Sequence, residues 1–288
     1  LITGGIYNRF AGEELKKSVL GRLADGEALA VAMSEPGAGS DVAAVSCRAE
    51  LVEDQWVING QKTWITNAHQ ADSILLVART SRGEKRHHGL TMFHVPTGIE
   101  GLEVRSIDTL NGTEVNDVFF TDCRIPADAV IGEVGQGWYQ LMAGLDTERL
   151  ILAAQMLGTA QRAFEDCLQF VSERTQFGSP VGSFQAIKHR IADLATEIEC
   201  TRLLVYNVAR EADGPGAGTN ISRLSSMAKL KASEVAKAAS LEGMQMMGGY
   251  GYSTEFPMVQ HMRAALGATI YGGTNEIQRE IIGRSYGL

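Results

Sequence analysis

A few short stretches of the chain hold residue types that could do chemistry. Glu148 lies in AGLDTERLILA (residues 143–153), a carboxylate with Arg149 beside it on an apolar helical stretch. Such a carboxylate is either a general base, brought toward neutrality by desolvation, or a helix-surface residue paired with a cation. Residues 34–41 read SEPGAGSD. The paired glycines let backbone approach a flat or anionic ligand, and Ser34 and Ser40 add hydroxyls. A plain connecting loop is the alternative, because the stretch is neither GxGxxG nor a Walker motif.

Trp64-Ile65-Thr66-Asn67 ends a strand. Trp64 either fills a core or stacks on a planar cofactor, with the Thr66 hydroxyl in reach. In RTQFGSPVGSFQ (174–185), Arg174 is a planar double donor suited to a diphosphate, Phe177 offers a ring face and Gln185 a further donor. Arg174 could equally cap a helix. QMMGGYG (245–251) is a glycine C-cap or a close approach to a bulky ligand. YGGTNEIQ (271–278) sets glycines and Thr274 at a helix start, where free N–H groups can receive an anion or polar ligand.

The elements that must position these residues divide along the chain. Residues 13–23 form a short amphipathic helix. From residue 29 to 130, short apolar runs over 47–52, 56–58, 63–65, 73–78, 90–95, 102–107 and 115–120 alternate with turns, Asn59-Gly60 being a hairpin signal. This predicts a small antiparallel barrel or sandwich. After Gly135 the apolar period becomes helical: one helix through Leu145, Leu152, Met156 and Ala160 to Val171, a second over 187–208, a third over 222–246, and a short fourth from Asn275. A Gly/Pro/Asp-rich loop at 213–218 separates the second and third, and the whole predicts a helical bundle.

Composition bounds the function. Hydrophobic residues are 44% and charged residues 21%, with a formal charge of -8. That excludes a basic nucleic-acid footprint, and no apolar run is long enough to span a bilayer. Cys47, Cys123, Cys167 and Cys200 have neither metal nor redox spacing and are expected as reduced core residues.

SEPGAGSD, WITNA, ERTQFG with a later Gln, QMMGGYG and YGGTNEIQR, in this order, resemble the ordered motifs of the acyl-CoA dehydrogenase family. The resemblance implies an α+β multidomain fold: a helical N-terminal domain of which residues 1–27 match only the last segment, a middle antiparallel β-barrel (28–134) and a C-terminal four-helix bundle (135–288). It implies FAD as cofactor. Met33, Ser34, Gly39, Ser40, Trp64, Ile65 and Thr66 would hold the flavin end. Arg174, Phe177, Gln185, Gln245, Gly248 and Gly249 would bind the adenine-diphosphate part, some of it across a subunit boundary, and Thr274, Asn275 and Glu276 would complete the site. Ser40, Tyr139, Asp146, Arg149, Gly272 and Gly273 would face acyl-CoA. The implied partners are acyl-CoA, electron-transfer flavoprotein and further copies in a homotetramer, in bacterial cytoplasm or mitochondrial matrix.

The chemistry so implied removes the thioester α-proton with a base while the β-hydrogen leaves as hydride to flavin N5. A ribityl hydroxyl and a backbone N–H stabilise the enolate. The family's usual base is the Glu of Tyr-Glu-Gly-Thr, and here that position is Gly272. The isovaleryl-CoA and long-chain members carry the base on an earlier helix in an ERLxxA-like stretch, which matches Glu148 to Ala153. Glu148 is therefore expected as the base. The competing readings are a flavin oxidase or monooxygenase on the same fold, which expects an Asp base or an oxygen-accessible pocket, and a non-catalytic subunit that binds FAD or acyl-CoA.

Overall fold

A computed structural model describes residues 2–214 and 220–288, so most of the predicted loop at 213–218 lies outside the described residues. The chain forms two compact units, Leu1–Gly144 and Leu145–Leu288.

The first unit opens with α1 (Ile2–Phe10) and α2 (Glu13–Ala24), followed by strands β1 (Leu29–Ala32), β2 (Arg48–Val52), β3 (Gln55–Thr66), β4 (Ser73–Arg79), β5 (Leu90–Pro96), β6 (Leu102–Thr109), β7 (Gly112–Pro126) and β8 (Val130–Ile131). They make one sheet in the order β6-β7-β3-β2-β4-β5-β8. It is mainly antiparallel, with β1 parallel to β4. Strand β4 is buried on both faces, which explains its unbroken apolar run: Ile74, Leu76 and Ala78 enter one core with Phe93, Val95 and Phe120. Leu75 and Val77 enter a second core with Ile6, Val19, Met92 and Leu141.

The second unit contains most of α3 (Gly137–Glu173), a hairpin of β9 (Thr175–Gln176) and β10 (Ser179–Pro180), then α4 (Gln185–Asp213), α5 (Ile221–Met247), α6 (Gly249–Tyr252), α7 (Met258–Ala268) and α8 (Asn275–Arg284). Ion pairs Arg190–Glu242 and Lys231–Glu197 show that α4 and α5 run antiparallel. Arg149 meets Ser222 near the start of α3 and α5, and Gly243 packs against Cys167 near their far ends, so these two run parallel. The core is Ala-rich, with Ala153, Ala160, Ala163, Ala228, Ala232, Ala236 and Ala239 letting the helices approach closely. No helix among the described residues is long and apolar enough to cross a membrane.

Three expectations change. Asn59-Gly60 is no hairpin: β3 runs through it, and the turn falls at Glu53-Asp54, between Val52 and Gln55. The reason is packing, since a Cβ at Gly60 (φ 147°) would lie 2.7 Å from Cys47 Cα; the glycine serves close strand approach at a register shift. Helices α1, α6 and α7 add to those predicted; α1 is short and holds two glycines, Gly4 and Gly5. Cys200 is exposed, unlike the other three cysteines.

One buried polar cluster fastens α1 and α2 to the sheet. Tyr7 Oη lies 2.7 Å from His94 Nδ1, and an Arg22 amine lies 3.4 Å from His94 Nε2. Arginine only donates, so Nε2 accepts and Nδ1–H donates to Tyr7. Burial, then the Arg22 charge, push His94 down to about 4. The unfolded chain therefore binds this proton more readily, and stability falls as pH drops from about 6.5 toward 4. We expect His94 to account for about 2–3 kcal/mol of lost stability between pH 7 and 4.5. In urea denaturation, His94→Gln should show a correspondingly shallower pH dependence; an unchanged slope would refute the assignment.

Candidate active site

In the first unit, a buried ion pair shapes the glycine-bearing loop. Lys62 Nζ donates to Glu35 Oε1 and to the Met33 carbonyl, each at 2.8 Å. Glu35 also accepts from Ser46 N (2.7 Å), Ser46 Oγ (2.8 Å) and Cys47 N (2.9 Å). Burial alone would raise this carboxyl; Lys62 and the N–H donors outweigh it and hold Glu35 below its ordinary range. Glu35 and Ala38 exchange backbone hydrogen bonds at 3.0 Å, closing the turn. Ser34 is spent on this frame, its hydroxyl donating to the Thr63 carbonyl at 2.6 Å. Gly39 and Ser40 remain exposed, open to a ligand.

Strand β3 presents the aromatic. A register shift against β7 between Lys62 and Ile65 inserts one extra residue. Trp64 sits there at φ 62° and is 60% exposed, which excludes the core reading. A left-handed bulky residue is an outlier that surrounding structure must enforce. Asn116 does so: its amide donates to the Ile65 (2.9 Å) and Glu114 (3.2 Å) carbonyls and its oxygen accepts from His69 Nδ1 (3.1 Å) and Ser106 Oγ (3.3 Å). Ile65 is buried beneath, while Thr66 is exposed beside Trp64. Tyr139 is also exposed, its hydroxyl 3.2 Å from His87 Nε2, so it lines a surface and not a core. An exposed tryptophan face with free hydroxyls nearby fits a planar, hydrogen-bonding cofactor.

In the second unit, Glu148 is half-buried and has no hydrogen bond or ion pair among the described residues. Arg149 does not neutralise it: its Nη1 donates to Asp146 Oδ1 at 2.6 Å and reaches Ser222 Oγ at 3.5 Å. Burial raises the Glu148 carboxyl, and Arg149 opposes this only in part. One turn further on the same helical face stands Leu152. It faces Gly272, where an added Cβ would meet Leu152 Cδ1 at 2.3 Å. Gly272 and Gly273 are both left-handed, at φ 65° and 81°.

Buried side chains hold that turn. Lys229 Nζ donates to the Gly273 carbonyl (2.8 Å) and Asn275 Oδ1 (3.1 Å), and Gln278 Nε2 donates to the Gly272 (3.1 Å) and Gly273 (2.9 Å) carbonyls. Asn275 also accepts from Ser233 Oγ at 3.0 Å, so its side chain serves the turn. Thr274 caps α8, accepting from Ile277 N, and Glu276 stays exposed in the first helical turn.

Arg174, Phe177, Gln185, Gln245, Gly248 and Gly249 gather at the opposite end of the bundle. The Arg174 guanidinium lies 5.2 Å from the Tyr250 ring centroid, beside the Gly248–Gly249 turn. Phe177 sits at the β9–β10 tip, 96% exposed at φ 53°. At about 1.5 Å per residue, Arg174 lies ~39 Å along α3 from Glu148. The predicted residues of this unit thus form two sites, not one. Sequence reading passed over Lys62, Asn116, His87 and Lys229. Lys62 and Lys229 carried a signal, each a lysine in phase with a buried stripe.

Residues 30–123 match the family model for the acyl-CoA dehydrogenase middle domain and residues 135–287 the model for its C-terminal domain. The chain is 39% identical over 277 residues to mitochondrial isovaleryl-CoA dehydrogenase of Solanum tuberosum, covering 94% of this chain and 66% of that protein, just under two thirds of its length. A crystal structure of acyl-CoA dehydrogenase from Geobacillus kaustophilus superposes with a TM-score of 0.94 at 36% identity, covering 99% of this chain and 75% of that one. The crystal structure of an FAD-dependent dehydrogenase does so with a TM-score of 0.94 at 32% identity, over 100% and 77%. The chain belongs to the acyl-CoA dehydrogenase family.

Proposed function

We propose that the protein oxidises acyl-CoA thioesters to trans-2-enoyl-CoA, with FAD as cofactor and Glu148 as the base. The observation that carries this reading is the state of Glu148: a half-buried, desolvated carboxylate with no ion pair among the described residues, on the face that confronts Gly272. An unpaired carboxylate raised by burial has the basicity needed to take an α-proton, and no internal partner must first be displaced. Asp146 and Arg149 are available to the CoA portion, Arg149 keeping one buried Nε donor without a partner. The left-handed glycine turn offers backbone donors to the thioester carbonyl, where enolate charge develops. Bound FAD would supply the hydride acceptor. Gly39, Ser40, Trp64 and Thr66 would hold its ring system, and reducing equivalents would pass to electron-transfer flavoprotein.

The separation along α3 bears on assembly. The Arg174–Phe177–Gln185 end lies too far from Glu148 for one cofactor to reach both within a chain. A second copy would therefore bring its Arg174, Phe177, Gln185, Gln245 and Gly248 to the cofactor of the first, as in a dimer or a dimer of dimers. The fully exposed, left-handed Phe177 supports this, since an aromatic in a costly conformation has no purpose facing water. For the acyl group we favour short branched chains. The potato relative is named for isovaleryl-CoA, and Leu152 fills the space that a side chain at Gly272 would take.

Glu148→Gln should retain FAD and acyl-CoA binding but reduce flavin about 10²–10⁴-fold more slowly under anaerobic stopped flow; normal bleaching would sink the assignment. In the unaltered protein the reduction rate should rise with pH through a pKa above the usual carboxylate range, since burial favours the protonated acid; a rate flat from pH 5 to 8 would contradict it. Moving the base needs room. In a Glu148→Gly background, Gly272→Glu should recover little alone, and more when Leu152→Ala removes the 2.3 Å clash. Equal recovery with and without Leu152→Ala would show that this leucine does not bound the pocket.

A further inference from the structure

The Gly272–Gly273 turn has a polarity that its glycines do not explain. Its two carbonyls point inward, Gly273 onto Lys229 Nζ at 2.8 Å and both onto Gln278 Nε2 at 2.9–3.1 Å. A trans peptide is planar, with N–H and C=O opposed. Turning these carbonyls inward therefore turns the Gly273 and Thr274 N–H groups outward. No backbone carbonyl among the described residues accepts from Gly272, Gly273 or Thr274. Lys229 is buried, 2% exposed, on an Ala-rich helix where a methionine would fill the same space. Neither contact of its ammonium is a carboxylate: one is the Gly273 carbonyl, the other an Asn275 amide oxygen that Ser233 holds at 3.0 Å. A buried charge without a carboxylate is costly, and a lysine kept in that state has a role beyond filling the core.

We propose that Lys229 is a positioning residue for the reaction: with Gln278 it fixes the Gly272–Gly273 turn carbonyl-side inward, so that the substrate thioester carbonyl meets backbone donors and no competing acceptor. The lysine touches neither substrate nor cofactor and acts through the turn. The proposal rests on the dehydrogenase reading above. A turn free to rotate a peptide by half a revolution would present a carbonyl oxygen where enolate charge develops, and repulsion would replace stabilisation. Removing one preorganised donor from such a site typically costs about 10²–10³ in rate, so loosening the peptide that carries it should cost about 10–100-fold.

The test compares Lys229→Met and Gln278→Met with the unaltered FAD-bound protein. The direct readout is isotope-edited infrared spectroscopy of bound butyryl-CoA labelled with ¹³C at the thioester carbonyl, with anaerobic flavin reduction measured in parallel. Lys229→Met should keep its FAD, lose much of the carbonyl downshift and reduce flavin about 10–100-fold more slowly, with acyl-CoA affinity changed far less. Gln278→Met should weaken the downshift in the same sense, which keeps the test open if Lys229→Met does not fold. A variant less stable than the parent but with the parent carbonyl frequency and reduction rate would make Lys229 merely structural and overturn the proposal. A carbonyl downshift that depends on Lys229 in a protein that no acyl-CoA reduces would instead refute the dehydrogenase reading and leave the turn geometry standing.

Discussion

A half-buried carboxylate with no counter-ion among the described residues is an unstable arrangement, and the start of α3 is built to maintain it. The nearest cation in sequence, Arg149, is drawn away by Asp146 at 2.6 Å. Leu152, one turn on, keeps the face apolar, and the facing residue is Gly272, which adds no polar atom. Burial then raises Glu148, with Arg149 opposing it only in part. Freeing Arg149 or placing a donor at position 272 would stabilise the Glu148 carboxylate and offset the rise that burial produces. On the proposed reading, the reaction uses this arrangement as a base raised above the ordinary carboxylate range.

The same logic runs through the strained residues. Trp64 and Phe177 are exposed aromatics at positive φ, each costing on the order of 1–3 kcal/mol. Both sit among residues already matched to cofactor motifs. Each is held by its neighbourhood: Trp64 by the β3–β7 bulge and the four hydrogen bonds of Asn116, Phe177 by the two-residue turn between β9 and β10. Beneath the glycine loop, Lys62 and Glu35 hold backbone in place from below. Lys62, Glu35, Asn116, Lys229 and Gln278 are buried polar groups that fix the conformations of loops whose own residues face outward.

Much of this was legible in the sequence, for identifiable reasons. The change from period two to period three and four near residue 135 marks where strands give way to α3. That the helix carrying Glu148 would face Gly272 was legible as motif order, and Leu152, one turn past Glu148, meets Gly272; the role of Glu148 as base is the proposal. Other features were hidden because they depend on contacts distant in sequence. Asn59-Gly60 has hairpin composition, yet the glycine answers to Cys47 across the strand pair. Asn116 and Lys229 meet their partners only once β7 and α5 are packed; the phase of Lys229 with a buried stripe marks it as buried but does not name its partner, and nothing in the sequence around Asn116 announces its role. The gathering of Arg174 and Gln185 with Gln245 was readable only as motif order; their distance from Glu148 along α3 needed the helix itself.

The central claim is that Glu148 takes the proton from Cα. The most direct measurement is solvent exchange at that carbon. The FAD-bound protein is incubated anaerobically in deuterium oxide with an acyl-CoA whose β-carbon carries no hydrogen, and the recovered thioester is analysed by mass spectrometry. The account predicts deuterium at Cα with the unaltered protein and none above background with Glu148→Gln. Undiminished exchange in that variant would place the base elsewhere and contradict the account.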